Sequence, residues 1–274
     1  MFKAKDFEFE LGKKTYIMGI LNVTDDSFYD GGKYNSREKA LEHTKEMLVD
    51  GADIIDIGAQ STRPGYKKKI SAVEELEIIK NYLPYLHDET KAVISVDTFY
   101  PSVAEYALQN GASIINDVSG VFSDEMAKVI KKYNAGWIIM HTGGGSSDTV
   151  PQYENDIVDE VKNFIVEVQN ECKEFDISGN QIMFDIGVGF GKTTEQSIKL
   201  IKNLKSIKTD NALLVALSSK RIVGETTNTE GYDRVYGTTS ANVISVMNGA
   251  DFVRVHNVKE NALALKMADA ILRG

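Results

Sequence analysis

The sequence has little cysteine and no long apolar segment. Cys172 is the single cysteine among 274 residues, and one thiol can form neither an intramolecular disulfide nor a cysteine-rich zinc site. No apolar run approaches the ~20 residues that a membrane-spanning helix needs. The first ten residues, MFKAKDFEFE, are charged from the outset and show no signal peptide. We therefore expect a cytoplasmic protein in a reducing compartment, with no membrane partner.

Positive charge is also in short supply. The chain carries 31 Lys and Arg residues against 40 Asp and Glu residues, a formal net charge of −9. Domains that bind nucleic acid usually present an excess of basic residues, so this balance argues against a nucleic-acid partner. Any anionic ligand must instead be held by a few local residues. Hydrophobic residues make up 42% of the chain, which is typical of globular domains and sufficient for a large core.

Linkers rich in proline, glycine or serine are absent, and only four prolines occur. Short apolar runs alternate with segments of helical spacing. The eight runs are YIMGILN, ADIIDIG, AVISVD, SIIND, GWIIMH, QIMFDIG, LLVAL and DFVRV. Because they are almost continuously apolar, they resemble parallel strands covered on both faces. Residues 1–274 are therefore predicted to form one α/β domain, a TIM (β/α)8 barrel; a doubly wound open sheet shares the alternation, but the strand count favours the barrel.

A polar residue stands at or near the end of each run. These residues are Asn22, Asp56, Asp97, Asn116, His141, Asp185, Ser218 and Arg254. In a TIM barrel the carboxyl ends of the strands converge on the active site. The pattern therefore predicts a polar ring around one mouth of the barrel, although any single polar strand end is equally well explained by the start of a loop.

Four polar residues of this region suit a flat heterocycle. The carboxylates of Asp97 and Asp185 can accept paired N–H donors of an amino-pyrimidinone, and Asn116 and Lys220 can donate to its carbonyl and ring nitrogens. A divalent metal is the rival ligand for two aspartates. The nearby lysine disfavours a cation, so metal binding by this pair ranks lower.

Arg254 and His256 stand two residues apart in FVRVHN, and therefore on the same side of an extended segment. Together with Asn22 across the mouth they would form an anion clamp suited to phosphate or diphosphate. The alternative for Arg254 is a buried ion pair with an aspartate. A phosphate-binding P-loop is excluded in DIGVGFGKTTEQ, because three residues, not four, separate Gly187 from Gly191.

Seven motifs occur in the order found in one family. They are MGILNVTDDSFYDGG, GADIIDIGAQSTRPG, SVDT, IINDVSG, MHTGG, FDIGVGFGKT and RVHNV. From residue 16 onward the chain resembles the dihydropteroate synthases. The resemblance implies a transferase of folate biosynthesis, which condenses 7,8-dihydropterin-6-ylmethyl diphosphate with 4-aminobenzoate and releases diphosphate. It further implies Mg²⁺ as cofactor, a homodimer and a pocket that sulfonamides target.

The resemblance also implies roles for single residues. The pterin ring would be held by Asp97, Asn116, Asp185 and Lys220, of which Asp97, Asp185 and Lys220 would be catalytic. The diphosphate would be held by Asn22, Thr62, Arg63, Arg254 and His256, and Asn22 would also bind the metal. The aminobenzoate would contact Phe28, Pro64 and Ser219. Diphosphate would leave first, in an SN1-like reaction, while loops 23–32 and 61–69 close over the site and exclude water.

The chain departs from the family pattern at three positions. Asp25 stands where proline is usual, Gln60 where glutamate is common, and Ser219 where arginine is common. Two alternatives follow from these departures and from the shared barrel. One is a pterin-binding methyltransferase domain, which would not need Arg254, His256 or the Ser-Thr-Arg-Pro loop. The other is a non-catalytic pterin-binding paralogue, in which Asp25 impairs closure of the first loop.

Overall fold

The computed structural model describes residues 1–23, 35–60 and 70–274. An antiparallel hairpin begins the chain, with strands β1 (Phe2–Ala4) and β2 (Phe7–Phe9). The next eight strands of the described chain form a closed parallel barrel. They are β3 (Tyr16–Asn22), β4 (Ile54–Gly58), β5 (Ile94–Asp97), β6 (Ala112–Asp117), β7 (Gly136–Met140), β8 (Ile182–Asp185), β9 (Ala212–Val215) and β10 (Phe252–Val255). The predicted TIM barrel is confirmed, and each of its strands falls within or overlaps one of the predicted runs.

Helices follow the strands and form the outer layer of the barrel. They are α1 (Asn35–Asp50), α2 (Ala72–Thr90), α3 (Pro101–Gln109), α4 (Asp124–Tyr133), α5 (Ile157–Glu174), α6 (Thr194–Lys202), α7 (Leu204–Ile207), α8 (Arg221–Thr227), α9 (Arg234–Met247) and α10 (Val258–Arg273). Local sequence fixes several of their starts. Ser71 and Glu74 form a reciprocal capping box at α2, and Thr193 and Gln196 form another at α6.

The hairpin closes the amino-terminal end of the barrel. Phe2 and Phe9 are buried and pack against Phe252, with ring centroids 5.7 and 5.6 Å apart. The Phe9 ring also meets the ring of Tyr16 edge-on at 5.1 Å. Phe252 and Tyr16 are the first residues of their strands and pair with each other where β10 closes on β3. The hairpin therefore seals this end, and the sequence pattern does not predict it.

The main core lies between the barrel and its helices. It is built from aliphatic residues such as Ile55, Ile57, Val96 and Leu83, all of them inaccessible to solvent. Within the described ranges, no helix combines the length and apolar character that a membrane span requires. That residues 1–274 form one domain stays a prediction.

Candidate active site

The strand register brings three predicted site residues to one level of the barrel. Asn22 pairs with Gly58, Gly58 with Asp97, and Asp97 with Asn116 across four neighbouring strands. Gly58 has no side chain between its neighbours, and a Cβ placed there would lie 3.7 Å from Asn22 Oδ1 and 3.6 Å from the Cβ of Asp97. All four positions stand at or next to the carboxyl ends of their strands, so Asn22, Asp97 and Asn116 lie at the mouth of the barrel.

Arg254 joins two aspartates inside this mouth. Its Nε donates to Asp56 Oδ2 at 2.6 Å, and its Nη2 donates to Asp97 Oδ2 at 2.9 Å. Asn116 Nδ2 donates to the same Asp56 oxygen at 3.1 Å. Every member is largely buried, since the side chains of Asp56, Asp97 and Arg254 are 0%, 10% and 14% exposed. We call Asp56, Asp97, Asn116 and Arg254 the carboxylate network.

Two acceptor atoms of the carboxylate network remain available. Asp56 Oδ1 and Asn116 Oδ1 are buried and have no hydrogen-bond partner among the described residues. Buried acceptors of this kind are costly unless a donor reaches them. Their position beside Asp97 matches a ligand that presents several N–H donors on one edge, as an aminopyrimidinone ring does.

Burial and neighbouring charges shift the pKa values of the acids at the mouth. Burial raises the pKa of Asp97 to about 7, although the guanidinium of Arg254 acts in the opposite direction. Burial also raises the pKa of Asp185, and the positive charge of Lys220 offsets part of this effect. The Gly187 N–H donates to Asp185 Oδ1 at 2.8 Å and stabilises the ionised carboxylate.

Lys220 lies at the other side of the mouth, immediately before α8. Its Nζ donates to the carbonyl of Val188 at 2.7 Å and stands 4.6 Å from the centre of the Phe190 ring. Burial lowers the pKa of Lys220 to about 8, and the negative charge of Asp185 works against that shift. The ammonium is thus held between a backbone carbonyl and an aromatic face, with Asp185 near enough to stabilise its charge.

His256 follows β10 and contacts Ser218, which follows β9. Ser218 Oγ lies 3.1 Å from His256 Nδ1, and it accepts a hydrogen bond from the His256 backbone N–H at 3.2 Å. The contact between Ser218 Oγ and Nδ1 therefore orients the imidazole ring. Since Arg254 precedes it by two residues, both side chains belong to the carboxyl end of one strand.

Comparisons with known proteins agree with this geometry. The sequence profile of the family described as "Pterin binding enzyme" matches residues 18–256. The dihydropteroate synthase of Clostridium beijerinckii is 41% identical over 269 residues, which are 97% of each chain. A crystal structure of the dihydropteroate synthase of Clostridium difficile, obtained in the presence of pteroic acid, superposes with a TM-score of 0.91 at 40% identity. It covers 97% of this chain and 100% of that chain. The chain belongs to the dihydropteroate synthase family.

More distant dihydropteroate synthases share the same fold. The Xanthomonas albilineans enzyme, solved in complex with 7,8-dihydropteroate, is 32% identical with a TM-score of 0.84 and 95% coverage of both chains. The Bacillus subtilis enzyme is 39% identical over 95% of this chain and 90% of its own. The family and the transferase class that the seven motifs predict are thereby confirmed.

The predicted site residues fall into two groups. Those in the described ranges stand at one mouth of the barrel, and they are Asn22, Asp97, Asn116, Asp185, Ser219, Lys220, Arg254 and His256. Those outside the described residues are Phe28, Thr62, Arg63 and Pro64, together with Asp25 and most of the two predicted closing loops. The roles given to both groups stay predictions.

Ser219, next to Lys220, occupies an unusual backbone position. Its φ of 57° lies in the left-handed region, which non-glycine residues adopt at some cost. The Ser219 N–H donates to Thr238 Oγ1 at 3.2 Å, and its carbonyl accepts from Arg234 Nη1 at 3.0 Å. These contacts from α9 fix the turn that leads into Lys220.

Asp56 and Lys192 have structural roles near the mouth that the motifs do not reveal. Asp56 stands in the middle of β4, and it receives hydrogen bonds from both Arg254 and Asn116. Lys192 is 1% exposed and binds three backbone carbonyls beneath Asp185 and Lys220. A carboxylate inside an apolar strand is the signal for Asp56, whereas a lysine after a glycine turn reads as a solvated side chain.

Proposed function

We propose that the chain condenses 7,8-dihydropterin-6-ylmethyl diphosphate with 4-aminobenzoate to give 7,8-dihydropteroate and diphosphate. The observation that carries this function is the carboxylate network at the barrel mouth. It presents buried acceptors beside Asp97, at the mouth that also holds Lys220, in a chain that matches dihydropteroate synthases over nearly its whole length. One of those relatives is described in complex with 7,8-dihydropteroate.

In this proposal the pterin ring binds against Asp97, Asn116, Asp185 and Lys220. The carboxylates accept from the amino group and ring N–H groups, while the Asn116 amide and the Lys220 ammonium complete the polar edge. Asp56 sits behind this edge and keeps Asn116 and Arg254 in place through its Oδ2 atom. Lys220 is held over the Phe190 ring, so its charge is positioned before a ligand arrives.

The diphosphate binds between Asn22, Arg254 and His256, with Thr62 and Arg63 as further predicted contacts. Two guanidinium nitrogens of Arg254 bind Asp56 and Asp97, and Nη1 takes part in neither bond. That nitrogen is therefore positioned to donate to a phosphate oxygen. The buried ion pair and the anion clamp are compatible, because one guanidinium carries both.

Magnesium is compatible with the residues present. Among the described residues no group of three His, Cys, Asp or Glu side chains is arranged to hold a metal ion. Mg²⁺ commonly uses one protein ligand together with substrate phosphates and water, and the Asn22 amide oxygen at the end of β3 is a ligand of that type. When bound, Mg²⁺ would neutralise charge on the diphosphate.

The reaction then depends mainly on electrostatic stabilisation by the side chains at the mouth. The C–O bond to the diphosphate breaks, and positive charge develops at the methylene carbon of the pterin. Asp97 and Asp185 stabilise that charge, while Arg254 and His256 stabilise the departing anion. The amine of 4-aminobenzoate attacks the methylene carbon and loses a proton. Phe28, Pro64 and Ser219 are the predicted contacts of the aminobenzoate ring, where sulfonamides would compete.

We further propose a homodimer that forms through α9 and α10, and a cytoplasmic location. Exposed apolar side chains recur at helical spacing on both helices. They are Tyr236, Ile244 and Met247 on α9 and Leu263, Met267 and Ile271 on α10, each 50% to 72% exposed. An apolar stripe of this kind on two adjacent helices suits a second copy of the same surface. Analytical ultracentrifugation of the wild type and Met267→Glu tests it, and a wild-type monomer at micromolar concentration would contradict it.

The proposed activity is tested by steady-state release of diphosphate. Purified protein receives the dihydropterin diphosphate, Mg²⁺ and 4-aminobenzoate, and Lys220→Ala serves as the inactive control. Release that requires aminobenzoate and is lost in Lys220→Ala supports the synthase. Pterin binding without any release would instead identify the non-catalytic paralogue. Binding of methyltetrahydrofolate without release would favour the methyltransferase alternative.

A further inference from the structure

Lys192 is a buried cation that no step of the proposed reaction uses. Its side chain is only 1% exposed. The ammonium donates to the carbonyl of His141 at 2.8 Å, to that of Gly187 at 3.1 Å and to that of Phe190 at 2.9 Å. These three bonds use the whole donor capacity of the ammonium, since a lysine ammonium has three N–H groups. All three acceptors are neutral backbone carbonyls.

Burying this charge is costly for the protein. Burial lowers the pKa of Lys192 to about 7, although the negative charge of Asp185 acts in the opposite direction. A neutral apolar side chain of similar length would fill the same space without a desolvation cost. The reason for keeping a charged group here must therefore lie in the three carbonyls that the ammonium binds.

The acceptors tie one turn to the end of a neighbouring strand. His141 follows β7, whereas Gly187 and Phe190 belong to the turn that follows β8. The turn approaches β7 very closely: Gly187 has a φ of 64°, and a Cβ at that position would lie 2.0 Å from the His141 carbonyl oxygen. Tyr153 adds a second tie, because its hydroxyl donates to the Gly191 carbonyl at 2.7 Å.

This turn, residues 187–191, orients the two charged residues assigned to the pterin ring. The Gly187 N–H donates to Asp185 Oδ1, and the Val188 carbonyl accepts from Lys220 Nζ. The Phe190 ring lies 4.6 Å from the Lys220 ammonium. Both charged groups therefore depend on the position of the same five residues.

We propose that Lys192 is a positioning residue for the pterin site, which ties turn 187–191 to the end of β7 and so holds Asp185 and Lys220 in their binding orientation. The inference rests on the proposed function, because it takes the pterin ring as the ligand of Asp185 and Lys220. It extends that function to Lys192, whose ammonium donates to turn 187–191 and to the His141 carbonyl.

The first test compares Lys192→Met with a matched control, Lys208→Met. Lys208 is a partly buried lysine; it forms an ion pair with Asp251 and donates to the Asn211 carbonyl at 2.7 Å. These contacts lie before β9 and before β10, at the opposite end of the barrel from the mouth. Both variants remove an ammonium that donates to a backbone carbonyl, but only Lys192→Met removes the tie to turn 187–191.

The readout is the dissociation constant for 6-hydroxymethylpterin, measured by isothermal titration calorimetry, beside the thermal midpoint of each variant. We expect Lys192→Met to weaken pterin binding by roughly 10- to 100-fold, as the loss of an outer-shell partner does at metal sites, because Asp185 and Lys220 lose the support of turn 187–191. Lys208→Met should lower the thermal midpoint and leave the dissociation constant within about twofold of the wild type. Equal pterin affinity in folded Lys192→Met and wild type would overturn the proposal.

A second variant covers the case in which Lys192→Met does not fold. Lys192→Ala leaves space for a small cation, so methylammonium can take the position of the missing ammonium. The proposal requires pterin affinity to rise with methylammonium concentration in this variant and to stay constant in Lys208→Ala. An affinity in Lys192→Ala that does not respond to methylammonium would contradict it.

The two proposals fail in different ways. If the wild type binds pterin but releases no diphosphate, the proposed function fails, and the affinity ratio between wild type and Lys192→Met still decides the role of Lys192. If the wild type is an active synthase and Lys192→Met binds pterin equally well, only the positioning role is wrong.

Discussion

Arg254 and Asp97 stand three strands apart in the barrel and are joined directly, with Arg254 Nη2 2.9 Å from Asp97 Oδ2. The same guanidinium binds Asp56 through Nε. One cation therefore compensates two carboxylates that are almost inaccessible to solvent. The charges of Asp56 and Asp97 are therefore balanced mainly by Arg254.

Replacing Arg254 by methionine should destabilise the fold at neutral and alkaline pH. Asp56 and Asp97 would then be buried without a positive partner, and breaking a buried pair in this way costs about 3–5 kcal/mol. At pH 5 we expect a smaller loss, because the pKa of Asp97 is already raised to about 7 and a protonated carboxyl needs no counter-charge. Urea denaturation at pH 8 and pH 5 measures the difference.

The exposed Arg221, which makes a surface pair with Glu225, supplies the control. Arg221→Met should change the free energy of unfolding by less than about 1 kcal/mol at either pH. An equal loss for Arg254→Met at pH 5 and pH 8 would show that Asp97 is not the group whose charge is being compensated.

Glu75 gives a second pH-dependent prediction. This α2 residue is 1% exposed, and burial raises the pKa of its carboxyl to about 7, although a hydrogen bond from Thr98 acts against the shift. Between pH 4.5 and 7 the folded state therefore holds more protons than the unfolded state, so stability falls as pH rises through this window. Above pH 7 the folded state carries the full free-energy cost of burying the ionised Glu75 carboxylate.

Glu75→Gln removes that cost and keeps an acceptor for Thr98. We expect its free energy of unfolding to exceed that of the wild type by up to about 3 kcal/mol at pH 8, and to match it at pH 4. Glu77→Gln, an exposed change on the same helix, is the matched control. Guanidinium denaturation curves at the two pH values give the comparison, and a gain at pH 4 as large as at pH 8 would rule out the buried charge as the cause.

Pterin affinity should fall as pH rises above about 8. Burial lowers the pKa of Lys220 to about 8, so the ammonium is charged below this pH and becomes neutral above it. A neutral amine binds the pterin carbonyl less strongly than an ammonium does. Calorimetric titration of 6-hydroxymethylpterin between pH 6.5 and 9.5 measures the effect; Lys220→Met reports the titration of the ligand itself, and its affinity should be lower and fall less steeply than that of the wild type.

The amino-terminal hairpin should contribute stability without affecting ligand binding. Phe2 is completely buried, and its ring lies 5.9 Å from Phe9 and 5.7 Å from Phe252. Phe2→Ala should cost about 3–5 kcal/mol of unfolding free energy, because it leaves a cavity below the barrel. Since the carboxylate network lies at the other end, the dissociation constant for pterin should be unchanged; a shift of tenfold or more would show that the two ends are coupled.

The sequence predicts the barrel because each strand is a continuous apolar run with a polar residue near its end. Asp97, Asn116 and Asp185 could be placed at the mouth for the same reason, without any knowledge of their partners. The hydrogen-bond partners of these residues could not be predicted, because the bond between Arg254 and Asp56 joins residues 198 positions apart. From the residue types alone, Arg254 could form either an ion pair with an aspartate or part of an anion clamp.

Two features escaped prediction for physical reasons. Strands β1 and β2 have three residues each, which is too short for any periodicity to be read. Lys192 is missed because lysine is almost never fully buried, and three carbonyls from two distant loops are needed to hold it inside. Neither condition leaves a local pattern in the chain.

The phenylalanine seal at the amino-terminal end also bears on the route that substrates and products take. The barrel interior next to this seal is filled by side chains such as Met18, Ile54 and Ile138, so substrates and products of the proposed reaction would all pass through the mouth at the other end. A molecule seated against Asp56 and Asn116 lies beneath whatever later occupies the mouth. In the proposed reaction, a pterin ring held there would therefore bind before 4-aminobenzoate, and the product that contains it would leave after diphosphate.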